Sequence, residues 1–182
     1  MKAVLISIHP KYCKLIADGK KTIEVRKSVP KLERPFKVYI YCTKKPVSVI
    51  ISGTGRHIGE KDITYCYDER NGRVIGEFVC RGMMGGTAYL LPKQSCLTIN
   101  EILDYAKGKQ VYGWRIADLK IYDKPKGLSE FYSIPKSGSD CCIGCIYHET
   151  PIEEMPCKIC TGERKYLYRP PQSWCYVEEL EL

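Results

Sequence analysis

HPKYCKLIADGKKTIEVRK, residues 9–27, decides how the rest of the chain is read. Pro10 suits the first turn of a helix, where its missing N–H has no partner to lose. Tyr12, Leu15 and Ile16 then fall at helical spacing through 10–18, and Gly19 stands where a helix commonly ends on a left-handed residue. Residues 22–26 alternate differently. Ile23 and Val25 share one face of a strand, and Thr22, Glu24 and Arg26 share the other. Lys20 and Lys21 stand at the mouth of that strand. The polar face is either solvated surface or one wall of a site.

Working outward, AVLISI (3–8) reads as a buried strand closed by His9-Pro10, so the chain opens as strand, helix, glycine, strand. FKVYIYC (36–42) and RVIGEFVC (73–80) read as further strands, and Asn71-Gly72 before the latter is a hairpin signal. RGMMGGTAYLLP (81–92), with three glycines, reads as a mobile loop. Thr98 with Glu101 three residues on has the spacing of a capping box and predicts a helix over 99–106. Residues 111–122 predict another strand, and 128–132 a helical turn. The expected class is α+β: a small mixed β-barrel with two short helices, over 1–132.

The chain has 182 residues, 44% hydrophobic and 27% charged, the balance of a globular protein. It contains no apolar run of membrane-spanning length, and the N-terminus reads as a strand, which predicts a cytoplasmic protein with no membrane partner. The net charge of +8 is uneven. Residues 1–45 hold 12 Lys/Arg against three acids, and the remaining 17 basic and 18 acidic residues nearly cancel. A positive excess confined to one quarter of the chain is the footprint of an anionic partner, most commonly nucleic acid.

Residues 133–182 have a different texture and predict a separate cysteine-rich extension. Cys142-x2-Cys145 and Cys157-x2-Cys160 supply two thiolate pairs at the spacing of a tetrahedral zinc site, with Cys141, His148 and Cys175 as alternative ligands. Four thiolates leave no open position for water, so the expected zinc is structural.

The span 9–27 resembles the opening of the ASCH domain family, whose pattern is a strand, a helix, then G-x-K-x-x-E-x-R, here Gly19, Lys21, Glu24 and Arg26. RVIGEFVC and YGWRIADLKIYDKP are similar to later parts of that family. The resemblance implies a PUA-like barrel and a nucleic-acid-binding module, most often for RNA, with Lys20, Lys21, Glu24, Arg26 and Lys27 on the binding wall. Some members of the family look to cut RNA, and one branch looks to hydrolyse a modified cytidine with a Lys, a Thr and a Glu. Lys21 matches that Lys, whereas Glu24 stands where the Thr falls. If the pocket were enzymatic, Lys21 and Glu24 would be the catalytic pair.

The residue types permit this chemistry. Arg26 can bind a phosphate or a base edge in a forked geometry, and Glu24 can accept from a base amino group. Tyr39 and Tyr41 share one strand face, as do Tyr112 and Trp114. Each pair is either a stacking platform for bases or barrel core.

Overall fold

The computed structural model describes residues 1–46, 48–51, 63–66, 68–86, 92–134 and 165–180. Its strands are β1 (Lys2–Ile8), β2 (Ile23–Arg26), β3 (Phe36–Cys42), β4 (Ser48–Ile51), β5 (Ile63–Cys66), β6 (Arg73–Gly86), β7 (Val111–Lys126), β8 (Tyr132–Ser133), β9 (Lys165–Tyr166) and β10 (Trp174–Glu178). The helices are α1 (Pro10–Ala17), α2 (Pro92–Ser95) and α3 (Ile99–Ala106), with a 3-10 turn at Leu128–Glu130. Eight strands form one mixed sheet in the order β2-β7-β6-β3-β1-β10-β8-β9, and among the described residues β4 pairs with β5 alone. Within the large sheet β1 and β3 run parallel, and the other ladders are antiparallel.

β1 is buried along nearly its whole length because both of its faces are covered. Val4, Ile6 and Ile8 join Val38, Ile40, Phe78 and Trp114 in one cluster. Ala3 and Leu5 join Tyr39, Tyr41, Phe131 and Val177 in a second. A near-continuous apolar run is what a strand covered on both faces requires. Each fully buried Ile or Leu stabilises the fold by roughly 1.5–3 kcal/mol.

The long ribbon of β6 and β7 curls over this core. Its register slips between Val74 and Gly76, Glu77 and Val79, and Cys80 and Met83, and bulges of this kind bend a sheet. Gly76 is required there, because a Cβ would collide with the backbone carbonyl of Lys120. The glycine-rich stretch read as a loop continues β6 as far as Gly86, with Met83 opposite Trp114 and Gly85 opposite Tyr112. Glycine weakens a strand's own propensity, but a partner strand already in place supplies the hydrogen bonds.

The sheet is not closed into a barrel, which corrects the sequence expectation. β2 hangs on β7 at one end of the strand order, and no ladder joins it to β1 among the described residues. A side chain spans that seam instead: Arg26 Nη2 donates to the Ser7 carbonyl at 2.6 Å.

β10 inserts between β1 and β8, so the closing part of the chain belongs to the same sheet as its opening. Cys175 sits in β10 opposite Leu5, where burial pushes its thiol up to about 11. Cys142, Cys145, Cys157 and Cys160, with Cys141 and His148, lie outside the described residues. Among the described residues, no three His, Cys, Asp or Glu side chains are grouped to hold a metal, and no helix is long and apolar enough to cross a membrane.

Candidate nucleic-acid interface

The helix and strand read from 9–27 are both present, and the turn between them sets up the site. His9 caps α1, its Nδ1 accepting from Lys11 N–H at 3.3 Å. Burial, then Lys45 and Lys11, hold the His9 imidazole below its ordinary value. Gly19 ends the helix at φ +70°, a conformation that costs glycine nothing. The Lys20 and Lys21 amides then both donate to the Leu15 carbonyl at 2.9 Å, which turns Lys21 inward.

β2 alternates as the sequence predicts, but its polar face does not meet solvent. Ile23 and Val25 pack on Ile102, Ala106 and Val111. On the opposite face Glu24 and Arg26 point into the seam, and Lys21 joins them. Their exposures are 2% for Lys21, 6% for Glu24 and 8% for Arg26, so the three are effectively interior. Thr22, at the strand's edge, is exposed.

The geometry is that of a linear ion cluster. Glu24 Oε1 lies 3.0 Å from Arg26 Nη2, and Glu24 Oε2 lies 3.4 Å from Lys21 Nζ. Lys21 Nζ also donates to the Ser95 carbonyl at 2.6 Å and stands 5.1 Å from the centre of the Tyr12 ring. Helix α2 therefore serves to bring one backbone acceptor to a buried ammonium. Ser7, which anchors Arg26, is itself held by the C-terminal segment: its hydroxyl donates to the Pro171 carbonyl at 2.6 Å.

Two features of the cluster are unfinished. Glu24 Oε2 and Arg26 Nε are buried with no hydrogen-bond partner, so the lysine contact at 3.4 Å is ionic and lacks hydrogen-bond geometry. The cluster also contains two cations and one anion. Burying an ion costs several kcal/mol unless its charge and hydrogen bonds are met. A buried acceptor, a buried donor and an excess positive charge together describe a site built for a polar, electron-rich ligand.

These groups open into a cavity of about 360 Å³ between β2, α1 and α3. Tyr12 and Tyr105 are part of its wall, with Leu97, Glu101 and Asp104. Burial, then the carboxylates of Glu101 and Glu24, push the Tyr12 phenol up from its ordinary value. Glu101 completes the capping box with Thr98, whose backbone N–H donates to Oε2 at 2.7 Å and whose hydroxyl lies 3.0 Å from the same oxygen. Those bonds, led by the backbone one, hold its carboxyl below the ordinary carboxylate value.

Of the five residues expected on the binding wall, Lys21, Glu24 and Arg26 are brought together. Lys20 is exposed outside them, and Lys27 is half-buried with its ammonium 4.8 Å from the centre of the Tyr105 ring. The expected stacking candidates lie elsewhere. Tyr39, Tyr41 and Trp114 are core, and Tyr112 packs against it. The aromatics at the cavity, Tyr12 and Tyr105, lie on α1 and α3. In the sequence Tyr12 is marked by its helical spacing with Leu15 and Ile16, whereas Tyr105 only neighbours an inward-facing helical residue, Ala106.

A curled mixed sheet with this charged seam belongs to the PUA-like class of folds. A sequence model of the ASCH domain matches residues 6–126, and the chain belongs to the ASCH domain family, which is associated in general with nucleic acid. Among solved structures it is similar to ASCH from Zymomonas mobilis, at 18% identity and a TM-score of 0.55 over 97% of this chain and 88% of that one. A single-residue variant of the same protein superposes with a TM-score of 0.56 at 17% identity, covering 98% of this chain and 92% of that one. No curated protein matches the chain.

Proposed function

We propose that the protein binds nucleic acid, RNA in preference to DNA, by taking one unstacked base into the cavity beside β2 while basic residues outside it hold the phosphates. The observation that carries this reading is Glu24 Oε2, a buried acceptor without a donor, on a carboxylate set between two buried cations beside the cavity. An exocyclic amino group is a donor of the kind this oxygen lacks. The volume falls within the ~300–1,000 Å³ of small-ligand sites. Tyr12 and Tyr105 offer rings on which a base can stack. Lys20 and the exposed Lys11 and Lys14 are within reach of a backbone passing over α1.

The test is an anisotropy titration with labelled single-stranded and duplex RNA and DNA, from low to physiological salt. Binding should weaken steeply with salt. Lys20→Ala should reduce the salt slope by roughly 0.7 if Lys20 neutralises one phosphate of a single strand. Glu24→Gln should cost roughly 1–3 kcal/mol of affinity, as for one lost base contact. No binding to any of the four even at low salt overturns the reading.

A second reading, an enzyme on the same pocket, rests on the Lys21–Glu24 contact facing the cavity. It predicts product formation in the same titrations. Lys21→Met would abolish turnover with much of the binding retained.

The zinc site is part of the proposal on its spacing alone. Cys142, Cys145, Cys157 and Cys160 would bind one structural ion, and metal analysis of the purified chain should return about one zinc per molecule, released when two of the four are replaced.

A further inference from the structure

A second cavity, of about 550 Å³, lies on the other side of α1, and the nucleic-acid reading uses only the lysines at its rim. Its walls carry Lys11, Lys14 and Lys20, and the Asp68–Arg70 pair with nitrogen–oxygen distances of 3.0 and 3.2 Å. Its floor carries two cysteines, Cys13 from α1 and Cys42 from the end of β3. Two observations make these cysteines neighbours. Cys13 Sγ lies 3.6 Å from the Ile8 carbonyl, and Ile8 is the ladder partner of Cys42. The two cysteines also belong to one buried cluster, and Cys42 Sγ lies 3.8 Å from Asn71 Oδ1 at the cavity wall. Both are free, and both are buried against protein except toward this cavity.

We propose that Cys13 and Cys42 form a reversible dithiol–disulfide site, oxidised by a small hydroperoxide that enters the basic cavity. Cys42 is the attacking thiol and Cys13 the resolving one. The neighbouring Cys13 thiol, aided by Arg70, holds Cys42 below its ordinary value against the opposing effects of burial and Asp68, while the neighbouring Cys42 and burial raise Cys13. The thiolate is the nucleophilic form. Cys42 sulfur attacks a peroxide oxygen, the O–O bond breaks, and an alcohol leaves, or water when the oxidant is hydrogen peroxide. Cys42 is then a sulfenic acid, two electrons poorer, and the peroxide is reduced by those two electrons. Cys13 sulfur attacks Cys42 sulfur, the S–S bond forms, the S–O bond breaks, and the hydroxyl leaves as water with the Cys13 proton. In sum, two thiols and one hydroperoxide give one disulfide, one alcohol and one water. A dithiol such as dithiothreitol restores the thiols by exchange.

The two cysteines take no part in the nucleic-acid reading, so either proposal can fail without the other. The test treats the folded full-length chain with stoichiometric hydrogen peroxide, blocks remaining thiols after unfolding in acid, and maps peptides by mass spectrometry. The expected result is a Cys13–Cys42 linked peptide, two hydrogens lighter than its parts, that disappears with dithiothreitol. In Cys13→Ser the linked peptide should be absent, and a sulfenic-acid trap should label Cys42 at least several-fold more than in the unaltered chain. The unaltered chain alone decides the case if that variant does not fold. Recovery of Cys13 and Cys42 as free thiols while other cysteines are oxidised overturns the proposal, as does Cys42 paired mainly with any cysteine other than Cys13.

Discussion

The cavities on the two sides of α1 differ more in material than in size. The larger is floored by two thiols, and its lysines stand at the surface where water solvates them. The smaller is floored by three ionised side chains that are at most 8% exposed. A solvated lysine rim costs a fold almost nothing, whereas burying charge costs several kcal/mol per ion before pairing. The smaller cavity is therefore the one whose construction demands a reason beyond stability. Volume alone would favour the other.

The largest effect that sharpens this contrast is Glu24→Ala. It leaves Lys21 and Arg26 buried without a counter-charge, and should lower unfolding free energy by about 3–5 kcal/mol in a urea titration. A small effect there would mean that water reaches the cluster and that it is not a buried site. Replacing all three charges at once, Lys21→Met with Glu24→Leu and Arg26→Met, should behave otherwise. Apolar substitutes of similar volume are often neutral or stabilising by about 1–4 kcal/mol, so that chain should fold and yet lose nucleic-acid binding. Retained binding in a folded triple variant would remove the cluster from the site.

A smaller effect is expected at the rim, from Glu101. Its carboxyl is depressed in the folded state, so its contribution is present above the ordinary glutamate value of 4.5 and is lost as the pH falls through the lower folded value. Asp68, depressed mainly by the Arg70 hydrogen bonds, acts in the same direction. The melting temperature should fall on acidification below that value. Thr98→Ala should remove the Glu101 part and cost about 0.5–2 kcal/mol, the usual range for a lost helix cap. The smallest effect belongs to the other cavity: Lys14→Ala should change stability by no more than about 0.5 kcal/mol, because Lys14 is exposed.

Much of the site is legible in the order of the residues. The helix, its glycine stop and the alternation of β2 follow from local rules, and so does the capping box at Thr98. The direction in which the polar face of β2 looks is not a local property. Alternation separates Glu24 and Arg26 from Ile23 and Val25, but both faces of a strand can be covered, and here α3 covers one and the α1–β1 side covers the other. Tyr12 and Tyr105 escaped for the same reason, since they meet at the cavity only through packing of helices far apart in sequence. The same limit applies to Tyr39, Tyr41 and Trp114, where a face of aromatic residues reads alike as platform or core.

The sequence by itself determined where the first helix and strand begin and end, which side chains share a strand face, and that the positive charge is gathered in the first 45 residues. These are consequences of backbone sterics, side-chain period and composition, which act over a few residues. Only the tertiary structure decided that the sheet stays open between β2 and β1, that the seam is filled by Lys21, Glu24 and Arg26, and that Cys13 and Cys42 line one cavity behind α1. Those outcomes depend on the bends of β6 and β7 and on β10 inserting beside β1. Long-range contacts of that kind fix burial, and burial turns the charges of an ordinary strand face into a site.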